Sequence, residues 1–328
     1  MPADTARGPE PRPAPLEALG RCSTPLDLHF RRSHFPAAVG GASGWLVEVG
    51  GAVLSAATLG LDELRALPAR SVDAVLECAG HRRAELSPEV PGVPWGAGAV
   101  SQAEWTGAPL ALVLEQAGVL TGAVEVVLRG ADGEGEFARA IPLAKALDPA
   151  TLLAWEVEGG PIPQDLGGPL RALVPGHYAV DSVKWLRRVE VVTDPFRGYF
   201  QAEDYCFFGA EGIPEGTAIR ELAVSSLITA MQAGPGAVTV RGVAWSGAPI
   251  ARVDLQVGAG PWLETALDEP LGPYAFTPWS LELGLEAGEH ALASRATDAG
   301  GRAQPERPVW NALGYGNNSV HRVTVSVG

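Results

Sequence analysis

The last third of the chain constrains the fold most. Val253, Leu255 and Val257 interleave with Arg252, Asp254 and Gln256, and Val323, Val325 and Val327 with Arg322, Thr324 and Ser326. A period of two places each set on one face of a strand, which no helix can do. Four such stretches, Thr239–Trp245, Arg252–Val257, His290–Thr297 and His321–Val327, follow one another with turn residues between them. Together they predict an antiparallel β-sandwich of immunoglobulin-like type.

The texture is different before about Ile219. Strands are expected at Gly44–Gly50, Ser71–Glu77, Val124–Arg129 and Leu152–Glu158, with a short helix at Asp62–Leu67. Pro109–Ala117 predicts a clearer helix. Leu110, Val113, Leu114 and Ala117 keep the i, i+3, i+4, i+7 spacing, Pro109 suits the first turn and Gly118 the end. No regular strand–helix–strand rhythm appears, so the class is α+β. The expected organisation is a flexible arm over 1–20, a mixed domain over 21–212 and the sandwich over 213–328.

The formal charge is −14. Phosphate recognition needs a basic surface, so nucleic acid is excluded as a partner, while a cationic redox protein would be attracted. No apolar run approaches the ~18 residues of a membrane helix, and no apolar leader is seen, so a cytoplasmic location is expected. Cys22, Cys78 and Cys206 are far apart and form no CxxC pattern, which argues against zinc and iron–sulfur sites. Lys145 and Lys184 are the only lysines, so positive charge is almost entirely arginine. Guanidinium groups suit bidentate binding of oxyanions.

Cys78 stands at a predicted strand end, in Glu77-Cys78-Ala79-Gly80-His81-Arg82-Arg83. The neighbouring cations predict a lowered thiol pKa and hence a thiolate able to bind metal. Chemistry alone leaves a buried structural cysteine equally open. The segment resembles the Cys-Ala-Gly-Asn-Arg-Arg motif of the sulfite oxidase family of molybdenum-cofactor oxidoreductases. Other matching stretches follow in the same order: Thr24–Pro36, Pro94–Val100, Ala103–Leu110, Gly168–Gly176, Ser182–Leu186, Gln304–Glu306, Trp310-Asn311 and Asn318–Val323.

The resemblance implies a molybdopterin-binding catalytic domain followed by an immunoglobulin-like dimerisation domain. It implies a molybdenum–molybdopterin cofactor with Cys78 as the protein ligand to the metal, soft sulfur ligation being suited to such a centre. Phe30, Arg31, Arg32, Ser33, His34, Asp132, Arg171, Ser182, Val183 and Lys184 match cofactor-binding positions. Tyr205 matches the active-site tyrosine, Arg32 and Arg83 the arginines of the anion pocket, and Trp95 a pocket wall. The implied reaction is oxidation of sulfite to sulfate, with electrons leaving to an external acceptor such as a small cytochrome or oxygen, in a homodimer. His177 and His290 lie at no metal-ligand spacing and read as ordinary residues.

Four positions depart from the family pattern. His81 and Ser33 stand where asparagine is usual, Leu166 where the animal enzymes have a cofactor-contacting histidine, and Leu313 where they place a third pocket arginine. Losing one cation weakens the field on a dianion, a charged hydrogen bond being worth about 1.5–3 kcal/mol. Arg302, Arg307 and Arg322 are the candidates to compensate. Two other readings follow: a reductase of an S-oxide or N-oxide on the same fold, and a non-catalytic protein that associates through its sandwich.

Overall fold

The computed structural model describes residues 10–20, 23–38, 40–131, 137–234 and 237–327. The alternation of the C-terminal third builds two four-stranded antiparallel sheets. One runs in the order Ser225–Gly234, Ala237–Trp245, Thr277–Leu283, Ala266–Leu267; the other runs Trp262–Glu264, Ile250–Val257, Gly288–Asp298, His321–Val327. Val240 and Trp279 from the first sheet share a buried core with Val253, Leu255 and Leu292 from the second, and Val323, Val325 and Val327 pack against it. The expected strands are all present. Ser225–Gly234 was not legible because its register shifts between Ile228 and Ala230. A bulge of this kind breaks the period of two.

The mixed domain holds two five-stranded sheets. The first has the order Ala57–Gly60, Leu46–Gly51, Leu186–Val192, Glu125–Gly130, Ala138–Pro142, with one parallel pairing between Leu46–Gly51 and Leu186–Val192. The second is built on Arg70–Glu77, Val100–Pro109 and Leu152–Val157, with Gly160–Pro161 and Arg171–Leu173 pairing to the last of these. Helix Leu110–Ala117 buries the four residues its spacing selects, against Val47, Val126, Leu153 and Val189. Gly118 closes it at φ 70°, a conformation that favours glycine. Pro109 takes the extended cap position instead of the first turn, because it is also the last residue of a strand.

The flexible arm is corrected for its described part. From Glu10 the chain is docked: the Ala14 N–H donates to Gly98 O at 2.8 Å, and Arg12 pairs with Arg31. Ala14 and Leu19 are buried in a cluster with Ile219, Leu222 and Trp245. Proline-rich composition hid these few apolar side chains, which need only a neighbouring groove to be ordered.

Contacts also join the two parts of the chain. The Val75 N–H donates to Tyr274 O at 2.9 Å, and Arg82 donates to Ser319 O at 2.5 Å. Arg139 is fully buried and donates to Asp181 Oδ1 at 2.7 Å and to Ile219 O at 2.5 Å. His177, the ordinary residue of the sequence reading, hydrogen-bonds Asp181 Oδ2 at 2.8 Å. Burial would raise the Asp181 carboxyl, but Arg139 and His177 overcome it and hold it below its ordinary value.

A depressed folded pKa stabilises fully above the unfolded value of about 3.9 and is lost as pH falls through the lower folded value. Replacing Asp181 with Asn is therefore expected to cost about 3–5 kcal/mol at neutral pH by leaving Arg139 without its counter-charge. It is also expected to flatten the acid limb of the stability profile. Melting temperatures measured between about pH 7 and about pH 2.5 check both effects.

Candidate active site

Arg70–Glu77 pairs along its whole length with Val100–Pro109 and delivers Cys78 at its end. The Cys78 N–H donates to Ala99 O at 2.9 Å, and Cys78 O accepts the His81 N–H at 2.9 Å, closing a tight turn. Arg82 follows in the left-handed region at φ 56°. Below the turn, the buried Glu77 carboxylate receives Trp245 Nε1–H of the sandwich at 2.8 Å and lies 2.7 Å from His81 Nδ1. His81, unusual in the motif, is thus a local anchor of the turn.

Cys78 opens into a cleft enclosing about 820 Å³ of empty space, its mouth included. Ten residues singled out in the sequence line it: Phe30, Arg32, Ser33, His34, Cys78, Arg171, Ser182, Val183, Lys184 and Tyr205. They come from five separate stretches, and hydrogen bonds set their places. Lys184 Nζ bridges Arg32 O (3.0 Å), Ser33 Oγ (2.9 Å) and Asp165 O (2.7 Å). The Phe30 N–H donates to Ser101 Oγ at 2.9 Å. Ser182 Oγ accepts the Val174 N–H at 2.9 Å.

Arg171 lies buried over the Trp105 ring, 4.9 Å from its centroid. It donates to Leu166 O at 2.6 Å and Ser182 O at 2.8 Å. Burial, with Arg31 nearby, lowers its pKa to about 9. Its partners among the described residues are carbonyls, so its charge has no carboxylate to balance it. A buried cation in that condition is suited to an anionic ligand. With Arg32 and Lys184 alongside, the apolar walls Leu76, Phe137 and Leu166, and one thiol, the cleft fits a flat anionic pterin carrying a soft metal.

Three expected site residues do not line the cleft. Arg31 donates instead to Asp165 Oδ2 at 2.6 Å, Leu26 O at 2.7 Å and His29 O at 3.1 Å. Adjacent residues of an extended chain point to opposite sides, so Arg32 enters the cleft and Arg31 braces its back. Trp95 is buried, and its carbonyl accepts the Ala84 N–H beside Arg83. Arg83 is buried behind the Cys78 turn, where it donates to Gly314 O and Val93 O, each at 3.2 Å. Asp132 lies outside the described residues.

The expected lowering of the Cys78 thiol is corrected. Burial outweighs the Gly80 N–H, Arg83 and Arg32 and pushes the thiol up. A coordinating metal deprotonates a thiol directly, so ligation does not require a low pKa beforehand. None of Arg302, Arg307 and Arg322 lines the cleft; Arg302 pairs with Asp298 and Arg322 with Glu306.

The sequence reading missed His29, Phe137, Trp185 and Tyr315. His29 lines the cleft and donates Nε2–H to Thr24 O at 2.8 Å, and burial with Arg31 lowers its pKa to about 4, so the ring is neutral at neutral pH. Trp185 sits at φ 49° beside Lys184, a strain for a bulky side chain. Tyr315 comes from the sandwich, and no local pattern links it to Tyr205.

The comparisons agree with this geometry. Residues 34–200 match the model of the oxidoreductase molybdopterin binding domain, and 216–328 that of the Mo-co oxidoreductase dimerisation domain. The chain belongs to the sulfite oxidase family of molybdopterin oxidoreductases. It is 37% identical to sulfite oxidase of Gallus gallus, over 94% of this chain and 74% of that protein. It is 36% identical to the mitochondrial sulfite oxidase of Mus musculus, over 92% of this chain but only 58% of the relative. The solved sulfane dehydrogenase SoxCD from Paracoccus pantotrophus superimposes with a TM-score of 0.86 at 25% identity, covering 98% of this chain and 86% of that one.

In this family setting Lys184 is the clasp between the Arg32-Ser33 segment and the Asp165 loop. Lys184→Met is expected to leave the protein folded but to cut the retained pterin at least about tenfold, since one charged hydrogen bond is worth about 1.5–3 kcal/mol. Fluorescence of the pterin released and oxidised from purified protein measures this.

Proposed function

We propose that the protein oxidises sulfite to sulfate, sulfite and water giving sulfate, two protons and two electrons. The observation that carries the reading is the meeting of Cys78, Arg32 and Tyr205 on one cation-rich cleft. Cys78 would hold the metal, and the Phe30–His34 stretch, Arg171, Ser182 and Lys184 would hold the pterin and its anionic tail. The bound cofactor supplies oxygen-atom transfer and storage of two electrons.

The chain's own residues handle the anion. Arg32 attracts and orients it at the cleft wall. Tyr205 is buried, and burial raises its phenol above the ordinary value, with Arg32 acting in the opposite sense. Its hydroxyl therefore stays protonated at neutral pH and serves as a hydrogen-bond donor. Its backbone is held at φ 52°, a strain the surrounding contacts must sustain.

Electrons would leave to an external acceptor, and a homodimer would form through the C-terminal domain. With a net charge of −14, the protein favours a cationic acceptor such as a small cytochrome. Raising the salt from about 0.01 to about 0.15 M shortens the screening length severalfold and should slow turnover with such an acceptor. A rate with a cationic cytochrome that ignores ionic strength would count against steering.

Leu166, buried on the cleft, and Leu313, half-buried beside Arg83's partner Gly314, favour a second reading with a less charged substrate, an S-oxide or N-oxide to be reduced. Dye-coupled assays of sulfite against a panel of such oxides separate the two. Cys78→Ser should melt like the wild type, contain almost no molybdenum and reduce no dye with sulfite. Full sulfite activity in that variant would refute the assignment. A matured wild type containing neither molybdenum nor pterin would favour the non-catalytic reading.

A further inference from the structure

We infer that Tyr315 of the sandwich is a positioning residue of the anion site, setting Arg83 and Tyr205 in place together. The inference rests on the proposal that the site takes a sulfur oxyanion.

The Tyr315 ring stacks on Tyr205, with centroids 5.1 Å apart and planes 18° apart. The Arg83 guanidinium carbon lies 4.7 Å from the Tyr315 centroid. Tyr315 therefore touches both a cleft residue and a cation that the cleft does not itself expose. Its hydroxyl donates to Asp204 Oδ1 at 2.5 Å, the oxygen that also accepts the Tyr205 N–H at 2.8 Å. Asn311 fixes Tyr315 from both sides of its backbone, through Asn311 Nδ2 to Tyr315 O at 2.8 Å and the Tyr315 N–H to Asn311 Oδ1 at 3.0 Å.

Arg83 is confined to match. A Cβ at Gly92 would stand 2.4 Å from Arg83 Nη1, and one at Gly80 or Gly314 would stand 2.9 Å from its atoms. Arg83 pairs with no carboxylate among the described residues, and only its Nε and Nη1 donate to them. Nη2 donates to none of the described residues and packs against Gly80, two residues from Cys78, so Arg83 acts on the anion site through its charge from behind the Cys78 turn. A cation lying against an aromatic face is held there electrostatically, and the aliphatic side chain of a leucine does not replace that hold.

The test compares Tyr315→Leu and Tyr315→Phe in the molybdenum-loaded enzyme. Calorimetry with sulfate gives affinity independently of turnover, and sulfite kinetics give KM and kcat. Tyr315→Leu should bind sulfate about tenfold more weakly and raise KM for sulfite by a similar factor, with a smaller change in kcat. Tyr315→Phe keeps the ring and should restore sulfate affinity to within about twofold of wild type. Should Tyr315→Leu fail to fold, Tyr315→Met replaces it with the same expected loss.

Unchanged sulfate affinity in the leucine or methionine variant, at wild-type molybdenum content, overturns the inference. A phenylalanine variant as weak as the leucine one overturns the hold on Arg83 through the ring and assigns the effect to the hydroxyl, Asp204 and Tyr205. A wild type that binds sulfate yet does not oxidise sulfite overturns the sulfite reading alone, and the affinity comparison still decides Tyr315.

Discussion

The buried carboxylate of Glu77 is the contact on which the rest of the site depends. It is the last residue of the strand that presents Cys78, and both of its oxygens are engaged. His81, from the turn after the cysteine, meets one oxygen, and Trp245, from the sandwich, donates to the other. A buried carboxylate left without such partners would be strongly destabilising. The position of Cys78 is thereby tied at once to its own turn and to the second domain. The Arg82 contacts with Ser319 and Val320 reinforce the same junction from the other side of the turn.

The cleft follows from that anchoring. Arg32, Arg171 and Lys184 are brought from distant stretches to a common space, and each is oriented by backbone carbonyls. Carbonyl dipoles orient these guanidinium and ammonium groups, and Arg171 has no carboxylate partner among the described residues. The result is concentrated positive potential inside a protein whose overall charge is strongly negative. The exterior and the cleft therefore act on different partners, and composition alone reports only the exterior.

Much of this was legible in the sequence, and the misses have physical causes. Strict alternation identified the sandwich strands, because both faces of each strand keep one environment along its length. It failed at Ser225–Gly234, where a bulge changes the face midway. The motif around Cys78 located the turn, but the thiol pKa was misjudged, since charge spacing is visible in a sequence and desolvation is not. Arg31 and Arg32 looked equivalent as neighbours, yet an extended backbone sends one to Asp165 and the other into the cleft.

What the sequence by itself determined is the class of each domain, the position of the cysteine that opens on the cleft and most of the residues around it. Local periodicity and contiguous motifs encode these, because each depends on a few residues close together in the chain. What only the tertiary structure decided is how the sandwich completes the site. Trp245 reaches Glu77 and Tyr315 reaches Tyr205 and Arg83 across long stretches of chain. Such contacts arise from the packing of one domain on the other, and no local pattern specifies them.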